Sequence, residues 1–290
     1  MNKFNNGNLK LAVQKEGRLT SETLSFLRRS GLEFESYRQK LFSTCRNFPL
    51  EIIFVRDNDI PNFVSQGIVD LGIIGQNLLF EKKAKVKKLL NLRYGFCSLV
   101  IAVPKESDIR EVKSLSSKKV ATSYPISTGS YFKKLNIPVE IVDVSGSLEI
   151  TPTLGVADVI VDLTSTGSTI ALNDLRVLSK IYDSEAVLVK TDKNNSRKKN
   201  IINKLLVRFK GVLSAKNYKY IFLNAKKNMM PKIRKIIPGL RSQAIFPLAQ
   251  KDWVSVASAV KEDIFWETIE KLKANGATGI FVLPIEKIIT

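Results

Sequence analysis

Histidine is absent from the 290-residue sequence, and its absence excludes several kinds of catalytic site. A Ser-His or Cys-His nucleophilic pair, a histidine general base and a His-ligated zinc all need an imidazole. Cysteine is scarce as well, because Cys45 and Cys97 stand far apart and form no CxxC motif. This argues against a zinc site, a redox pair or a disulfide framework. Catalysis must come from arginine, lysine, carboxylates, hydroxyls and backbone amides, a set that suits phosphate chemistry.

Long hydrophobic runs are missing too. Apolar segments such as 71–74 and 159–163 are far shorter than the ~20 residues needed to cross a bilayer, so we expect no membrane association. Residues 1–8 are polar and lead directly into a strand-like segment, which leaves no room for a secretory hydrophobic region. We therefore expect a cytoplasmic protein.

The net charge of +19 is compatible with a nucleic acid or an anionic substrate as partner. The basic residues are mostly lysines spread through 82–88, 197–199 and 226–235, with few aromatic residues among them. No nucleic-acid motif stands out. We interpret the charge as a lysine-rich solvated surface and expect no nucleic-acid partner.

Short apolar segments alternate with helix-like segments over the first 190 residues, a pattern typical of an α/β protein with largely parallel sheets. The predicted strands are 9–13, 50–55, 71–74, 98–103, 120–122, 139–144, 159–163, 177–182 and 185–189. We assign 1–103 to a first subdomain, completed by 177–195, and 104–176 to a second. In open α/β sheets ligands bind at the carboxyl ends of strands, so we expect a cleft between the two lobes.

A polar, charged linker at 191–199 precedes a different pattern. After a helix at 201–216, the segments read as strand 220–223, helix 229–237 ended by Pro238-Gly239, strands 244–247 and 254–260, helix 264–274 and strand 279–283. This βαββαβ order is that of a ferredoxin-like domain, which we assign to 199–290. By fold analogy alone, such a domain often binds a small regulatory ligand.

The strongest chemical signal is the turn Ser165-Thr166-Gly167-Ser168-Thr169, which follows an apolar strand and precedes a short helix. Glycine allows close approach of the backbone, and four hydroxyls with neighbouring amides supply converging donors. Charge-assisted hydrogen bonds contribute roughly 1.5–3 kcal/mol each, so a few of them can dominate phosphate binding. The turn predicts a phosphate-binding loop, although an ordinary Ser/Thr turn is the alternative.

Two carboxylates accompany this loop. Asp162 ends the strand before it, and Glu149 follows Gly146-Ser147-Leu148. A ribose 5-phosphate presents two vicinal hydroxyls close to its phosphate, and both carboxylates are suited to accept from these hydroxyls or to hold Mg²⁺ through water. Each could instead be a solvated carboxylate or a helix cap.

Several further motifs occur in the order found in one enzyme family. They are GRL at 17–19, VRDNDIP at 55–61, VDLGIIG at 69–75, ATSYP at 121–125, the stretch 146–169, FWE at 265–267 and VLPIE at 282–286. Together they resemble ATP phosphoribosyltransferase, and the last two resemble its long form with a C-terminal regulatory domain.

This resemblance implies the first step of histidine biosynthesis, in which N1 of ATP displaces Mg²⁺-pyrophosphate from phosphoribosyl pyrophosphate. It implies a two-lobed, periplasmic-binding-protein-like catalytic region in which the 165–169 loop holds the 5-phosphate. Arg18 and Arg56 match arginines that face the pyrophosphate and the ATP phosphates. Asp70 and Gly75 lie on the matching nucleotide-side strand, although Asp70 could equally be a turn residue that begins a strand.

The resemblance also implies dimers and hexamers and feedback inhibition by histidine. In the C-terminal region Ala244 stands where family members have threonine, and Asn224 occupies a variable position. The segment 126–130 departs from the family's sequence. A solute-binding protein for a phosphorylated ligand is the alternative function, opposed by the missing export signal and by the C-terminal domain.

Overall fold

Three β-sheets organise the chain in the computed structural model, which describes residues 7–35, 41–192, 198–237 and 243–289. Two sheets belong to a first compact unit, Met1–Ser25 with Leu32–Lys199, and the third to a second unit, Phe26–Gly31 with Asn200–Thr290. Residues 1–6, residues 193–197 of the predicted linker and the predicted helix stop Pro238-Gly239 lie outside the described ranges. Within those ranges, no helix is long and apolar enough to span a membrane.

The elements of both units follow in chain order. The strands are β1 (Leu9–Gln14), β2 (Phe42–Thr44), β3 (Leu50–Val55), β4 (Leu71–Gly75), β5 (Val86–Asn91), β6 (Cys97–Pro104), β7 (Lys119–Thr122), β8 (Glu140–Asp143), β9 (Val159–Thr164), β10 (Leu175–Ser184), β11 (Ala186–Thr191), β12 (Tyr218–Lys226), β13 (Ala244–Pro247), β14 (Trp253–Lys261) and β15 (Thr278–Pro284). The helices are α1 (Thr20–Arg29), α2 (Ile60–Gln66), α3 (Gln76–Lys82), α4 (Pro125–Lys134), α5 (Ser168–Leu172), α6 (Lys199–Ala215), α7 (Met230–Ile236) and α8 (Phe265–Ala274).

The first sheet has the order β2-β3-β1-β4-β11-β5. β1 pairs in parallel with β3 and β4, whereas β11 runs antiparallel to both β4 and β5. Leu9, Leu11, Ala12 and Val13 of the central strand are fully buried, as expected for a strand covered on both faces. Burying each large aliphatic side chain contributes roughly 1.5–3 kcal/mol, so this strand anchors the first lobe.

The second sheet has the order β10-β6-β9-β7-β8 and forms the second lobe with α4 and α5. β6 runs antiparallel to β9 and β10, and β7 runs parallel to β8 and β9. The lobes exchange strands, because β6 follows β5 of the first sheet yet lies in the second, and β11 follows β10 of the second sheet yet lies in the first. The two-lobed, periplasmic-binding-protein-like architecture predicted from the sequence is confirmed.

Two strands lie in a different lobe from the one predicted. The segment 98–103 was assigned to the first subdomain, but β6 lies in the second sheet. The predicted return of 177–182 to the first lobe is wrong, because β10 pairs with β6 from Leu175↔Pro104 to Ser184↔Cys97. An apolar strand has the same sequence pattern in either sheet, and the strand that it pairs with is determined by packing between segments far apart in sequence.

The structure also contains two strands in the first sheet that the sequence did not predict. β2 has three residues, and β5 lies at the edge of the sheet with Lys87 and Lys88 exposed. Lysines on an edge strand oppose pairing with another chain, but they also hide the apolar alternation that identifies a strand.

The second unit contains the third sheet, of order β13-β14-β12-β15, with every pair antiparallel. Its element order β12-α7-β13-β14-α8-β15 confirms the predicted ferredoxin-like domain. The face towards α7 and α8 forms an apolar core that includes Ile221, Leu223, Val256, Ile233 and Leu272. α6 belongs to the same unit, where the Phe209 ring meets the Phe26 ring edge-on at 4.9 Å.

Candidate active site

The predicted phosphate-binding loop lies between β9 and α5. Gly167 has φ +78°, a left-handed conformation that favours glycine, and no heavy atom lies within 4 Å of the place where a Cβ would stand. The amide of Gly167 donates to the Thr164 hydroxyl at 2.8 Å, and the hydroxyls of Thr166 and Ser168 are 2.9 Å apart. Ser165, Thr166, Ser168 and Thr169 are exposed, so their hydroxyls line an open turn that can receive an anion.

Arg18 meets this loop from the first lobe. Its Nη1 lies 3.4 Å from Ser165 Oγ and donates also to the carbonyls of Gly95 (3.3 Å) and Phe96 (3.4 Å), while Nη2 lies 3.2 Å from Cys97 Sγ. The segment 95–97 is where the chain crosses between lobes. The guanidinium is therefore held at the loop by the crossing segment, a contact that the sequence did not reveal.

The turn before α1 fixes the direction of Arg18. Gln14 Oε1 accepts the Leu19 amide at 3.1 Å, and the Thr20 hydroxyl donates to the Gln14 carbonyl at 3.3 Å. Gly95 has φ +64°, and a Cβ there would collide with the Leu19 side chain. Glycine at this position allows the crossing segment to approach the Arg18 turn closely.

A carboxylate pair stands beside the loop. Burial raises the pKa of Asp162 to about 6, against the opposing effect of the Leu163 amide that its carboxylate accepts at 2.7 Å, and the charge of Glu149 raises the pKa further. Burial also raises the pKa of Tyr124, as does the nearby charge of Asp162, while Arg18 lowers it. The structure thus brings the predicted residues Asp162 and Glu149 within electrostatic reach of each other. It also places the phenol of Tyr124 beside Asp162, a residue that the sequence analysis named only within the ATSYP motif.

A cavity of about 190 Å³ opens between the lobes next to this group. Its walls come from the β1–α1 turn, the 3₁₀ turn Asp57–Asp59, the end of β4, the start of α3 and the second lobe. The lining residues are Gln14, Arg18, Leu19, Asp57, Asn58, Ile60, Ile73, Ile74, Gly75, Asn77, Leu78, Ser123, Tyr124 and Leu163. The predicted nucleotide-side residue Gly75 therefore shares a cavity with Arg18.

Arg56 lies at the edge of this region. It has an extended conformation (φ −64°, ψ 143°) and directly precedes the 3₁₀ turn that supplies Asp57 and Asn58 to the cavity wall. Its side chain is exposed and makes no hydrogen bond or ion pair with any described residue. The guanidinium is thus not engaged by the neighbouring carboxylates and remains available for an anionic ligand.

Asp70, also predicted to bind the nucleotide, lies outside the cavity lining, as Arg56 does. It precedes β4, whereas Gly75 closes the strand at the cavity. Asp70 Oδ2 accepts the Lys10 amide at 2.8 Å and the Lys198 ammonium at 2.7 Å, and both charged side chains are about 15% exposed. These bonds match the alternative interpretation, a turn residue that begins a strand.

The two residues predicted for regulation lie in the third sheet. Ala244 pairs with Ala257, Ala257 pairs with Phe222, and Asn224 is two residues further along β12. Directly paired residues share a face, as do residues i and i+2, so Ala244 and Asn224 lie on the same face, opposite the apolar core. Ala244 is exposed and Asn224 is half-buried.

The described residues include no group of three or more cysteine, aspartate or glutamate side chains arranged to hold a metal ion. Glu149 and Asp162 form a pair only. This donor set fits Mg²⁺, which usually takes one or two protein carboxylates and completes its coordination with water and substrate phosphates.

These features define a class: a two-lobed α/β protein with an open, hydroxyl-lined turn at the cleft and a ferredoxin-like domain. Residues 56–211 match the family model "HisG: ATP phosphoribosyltransferase", and residues 215–287 match "HisG, C-terminal domain". The chain belongs to the ATP phosphoribosyltransferase family, in its long form, and is a pentosyltransferase of histidine biosynthesis. The resemblance found in the sequence is confirmed.

Relatives cover nearly the whole chain. The ATP phosphoribosyltransferase of Cytophaga hutchinsonii is 41% identical over 281 residues, which cover 97% of this chain and 98% of the relative. That of Maricaulis maris is 40% identical over 289 residues, with 97% and 98% covered. Among solved structures, the ATP phosphoribosyl transferase (HisG:HisZ) complex from Thermotoga maritima includes a chain that is 27% identical, with a TM-score of 0.61, covering 69% of this chain and 95% of that one.

Proposed function

We propose that the protein transfers the 5-phosphoribosyl group of phosphoribosyl pyrophosphate to N1 of ATP and releases pyrophosphate. The single observation that carries this assignment to the site is the approach of Arg18 to Ser165 at 3.4 Å, which joins a guanidinium of one lobe to the anion-binding loop of the other. A phosphate on the loop and a second phosphate group near Arg18 would then lie on one substrate that spans the cleft.

In this proposal the loop reads the 5-phosphate. The exposed hydroxyls of Ser165, Thr166, Ser168 and Thr169, together with the loop amides, donate to its oxygens, and Gly167 leaves open space for them. Three or four such bonds of roughly 1.5–3 kcal/mol each, less the entropy of ordering the substrate, suffice for selective binding of a phosphomonoester. Asp162 and Glu149 accept from the ribose hydroxyls.

The reaction needs no strong base. Adenine N1 carries a free lone pair, so the bond from N1 to C1′ forms while the bond from C1′ to the pyrophosphate oxygen breaks. The developing negative charge on pyrophosphate is stabilised by Arg18, and by Arg56, whose exposed side chain can reach an anion at the cavity edge. Removing one such preorganised donor typically costs about 2.7–4 kcal/mol of transition-state stabilisation. A chain without histidine can therefore carry out this chemistry.

Mg²⁺ is the proposed cofactor. Bound with pyrophosphate, it would neutralise the charge of the leaving group, with Asp162 and Glu149 as the residues that hold it through water. Although the pKa of Asp162 is raised to about 6, its carboxylate is still mostly ionised at neutral pH. It becomes protonated as the pH falls below that value. We therefore propose that substrate binding weakens as the pH falls through about 6.

We further propose that the second unit senses free histidine and that the chain forms a homo-oligomer, from dimer to hexamer. Support comes from its separate core and from the match of 215–287 to the family's C-terminal domain. Histidine can inhibit only through different affinities for two states, because equal affinity shifts nothing. Ala244 lacks a hydroxyl, so Ala244→Thr is expected to lower the inhibitory histidine concentration, by up to about tenfold for one hydrogen bond.

Two measurements test the regulatory proposal. Histidine titrations of turnover, with calorimetry and sedimentation in parallel, are expected to give inhibition, binding and an oligomer. The matched control is Ala257→Thr, which adds the same hydroxyl at the paired position on a buried site. Saturating histidine that neither binds nor inhibits would refute this proposal and leave the transferase proposal standing.

The transferase proposal is tested by pyrophosphate release. Protein, ATP, phosphoribosyl pyrophosphate and Mg²⁺ are expected to yield pyrophosphate, and omission of either substrate should abolish it. A solute-binding protein would bind the phosphorylated ligand and release nothing. Use of ATP is also the reason for which we propose that the protein works in the cytoplasm.

A further inference from the structure

One face of α3, in the first lobe, contacts the second lobe. Asn77, Phe80 and Glu81 have the i, i+3 and i+4 spacing that places side chains together on a helix. The backbone amide of Asn77 donates to Ser184 Oγ at 3.0 Å, and the Ser184 hydroxyl donates to the side-chain oxygen of Asn77, Oδ1, at 3.1 Å. The ring of Phe80 meets the ring of Tyr182 edge-on at 4.9 Å. Both partners belong to β10, so α3 is fixed against the second sheet.

Glu81 makes the third contact of this face. Its side chain is only 6% exposed, and its two oxygens accept the amides of Ile126 and Ser127, each at 2.9 Å. These amides belong to the first turn of α4, where backbone donors lack partners inside the helix. Pro125 has no amide N–H to donate, and the side chain of the preceding residue, Tyr124, makes no capping hydrogen bond. The carboxylate from the other lobe therefore caps α4 and faces the positive end of its dipole.

The capped turn is continuous with the wall of the cavity. Tyr124 lines the cavity together with Arg18 and Gly75, and its carbonyl accepts the Thr128 amide at 2.9 Å. Tyr124 thus moves with the start of α4. The loop at 165–169 is attached elsewhere, to β9 and α5, and neither element supplies a partner to Glu81.

We propose that Glu81 is a positioning residue that ties α4 to α3 and so holds Tyr124 in the wall of the cavity that also contains Gly75, the predicted nucleotide-side residue. The inference rests on the proposed function for the identity of the substrates. Glu81 touches neither substrate and acts through the α4 amides. Its loss disturbs the ATP side of the cleft and leaves the phosphate-binding loop in place, which separates this role from a general contribution to folding.

The test compares Glu81→Ala with Asp158→Ala. Asp158 is the matched control because its carboxylate also accepts a backbone amide, that of Lys119 at 2.8 Å, but within the second lobe and before β9. We expect Glu81→Ala to raise the KM for ATP by at least about tenfold, the effect of losing one charged hydrogen bond or more, and to change the KM for phosphoribosyl pyrophosphate by less than about threefold. Asp158→Ala should change neither KM by more than about threefold.

Hydrogen exchange gives a readout independent of turnover. The amides of Ile126 and Ser127 are expected to exchange at least about tenfold faster in Glu81→Ala than in the wild type, and no faster in Asp158→Ala. Glu81→Gln keeps the shape and one acceptor but turns an NH₂ group towards the second amide, so it should give an intermediate KM for ATP. It also serves as the test variant if the alanine variant does not fold.

Equal changes in the two KM values, or faster exchange with an unchanged KM for ATP, would overturn the proposal. Calorimetric titration with ATP gives the same comparison without turnover. A wild-type protein that releases no pyrophosphate would therefore refute the proposed function, while Glu81 would still be judged by ATP affinity. An ATP affinity that is unchanged in Glu81→Ala would refute the positioning role alone.

Discussion

Replacing Asp162 by asparagine should make the folded protein more stable at neutral pH while impairing its activity. The Asp162 carboxylate lies in a half-buried position where desolvation, and to a smaller extent the charge of Glu149, disfavours its ionised form. Asparagine has nearly the same shape, can accept the Leu163 amide through its side-chain oxygen and carries no charge. The substitution therefore removes the electrostatic penalty and preserves the packing.

The magnitude follows from the pKa. A rise from the usual 3.8 to about 6 is about 2 units, which corresponds to at most about 3 kcal/mol at 1.36 kcal/mol per unit. Because the folded chain binds this proton more tightly than the unfolded chain, the stability contributed by Asp162 falls as the pH rises from about 4 to about 6. Above that window the penalty is fully present, and below it the penalty disappears. We expect Asp162→Asn to gain roughly 1–3 kcal/mol at pH 7.5 and almost nothing below pH 4.

Urea unfolding of both proteins at several pH values measures this difference. The matched control is Asp158→Asn, because the Lys119 amide lowers the pKa of Asp158 and the same substitution there should destabilise the protein at pH 7.5. In parallel, Asp162→Asn should lower kcat/KM for phosphoribosyl pyrophosphate by at least about tenfold, the loss of one charged acceptor. An Asp162→Asn variant that is no more stable at pH 7.5, or equally stabilised at pH 4, would refute the reasoning.

Three further outcomes are expected. Thr166→Val should raise the KM for phosphoribosyl pyrophosphate by about tenfold and leave the KM for ATP nearly unchanged, because a loop hydroxyl is lost. Steady-state kinetics that show equal effects on the two KM values would contradict the assignment of the loop to the 5-phosphate. Arg56→Ala should lower kcat at least about tenfold, because a donor to the leaving pyrophosphate is lost. The unfolding free energy should change by less than about 0.5 kcal/mol, because the side chain bonds to no described residue. Near-normal turnover would exclude Arg56 from the active site. Ser258→Ala should stabilise the second unit by about 1 kcal/mol, since the buried hydroxyl has no hydrogen-bond partner among the described residues. The control Ser184→Ala removes a hydroxyl that is hydrogen-bonded and should destabilise the first unit. Thermal denaturation in which both substitutions change the stability in the same direction would refute this contrast.

Much of the fold could be predicted from local patterns. Apolar runs identified most strands of both lobes, and Gly167 with its neighbouring hydroxyls identified the turn at the end of one of them. The βαββαβ order of the second unit followed from alternating strand and helix signals with Pro and Gly between them. These features depend on residues close in sequence, where periodicity and backbone preference decide the conformation.

What the sequence could not predict depends on distant segments. The lobe to which β6 and β10 belong is set by strand pairing across long separations, and no local signal states it. The cap that Glu81 gives to α4 joins residues 45 and 46 positions apart. Asp70 matched a family motif, but its position at the start of β4 and its bond to Lys198 direct it away from the cavity. Motifs and spacing identified the candidate site residues. The three-dimensional arrangement was needed to show which of them line the cavity, as Arg18 and Gly75 do, and which make structural bonds elsewhere, as Asp70 does.

The exchange of strands between lobes has a consequence for synthesis on the ribosome. β11 lies between β4 and β5, so the first sheet lacks an inner strand until residue 191 has left the ribosome, about 100 residues after β5 ends. At roughly 5–20 residues per second, the nascent first lobe waits on the order of 5–20 s with one side of β4 unpaired. An unpaired, apolar strand of this kind is a template for association with other chains. A nascent chain stalled between β5 and β11 should therefore need chaperone protection more than one stalled after β11.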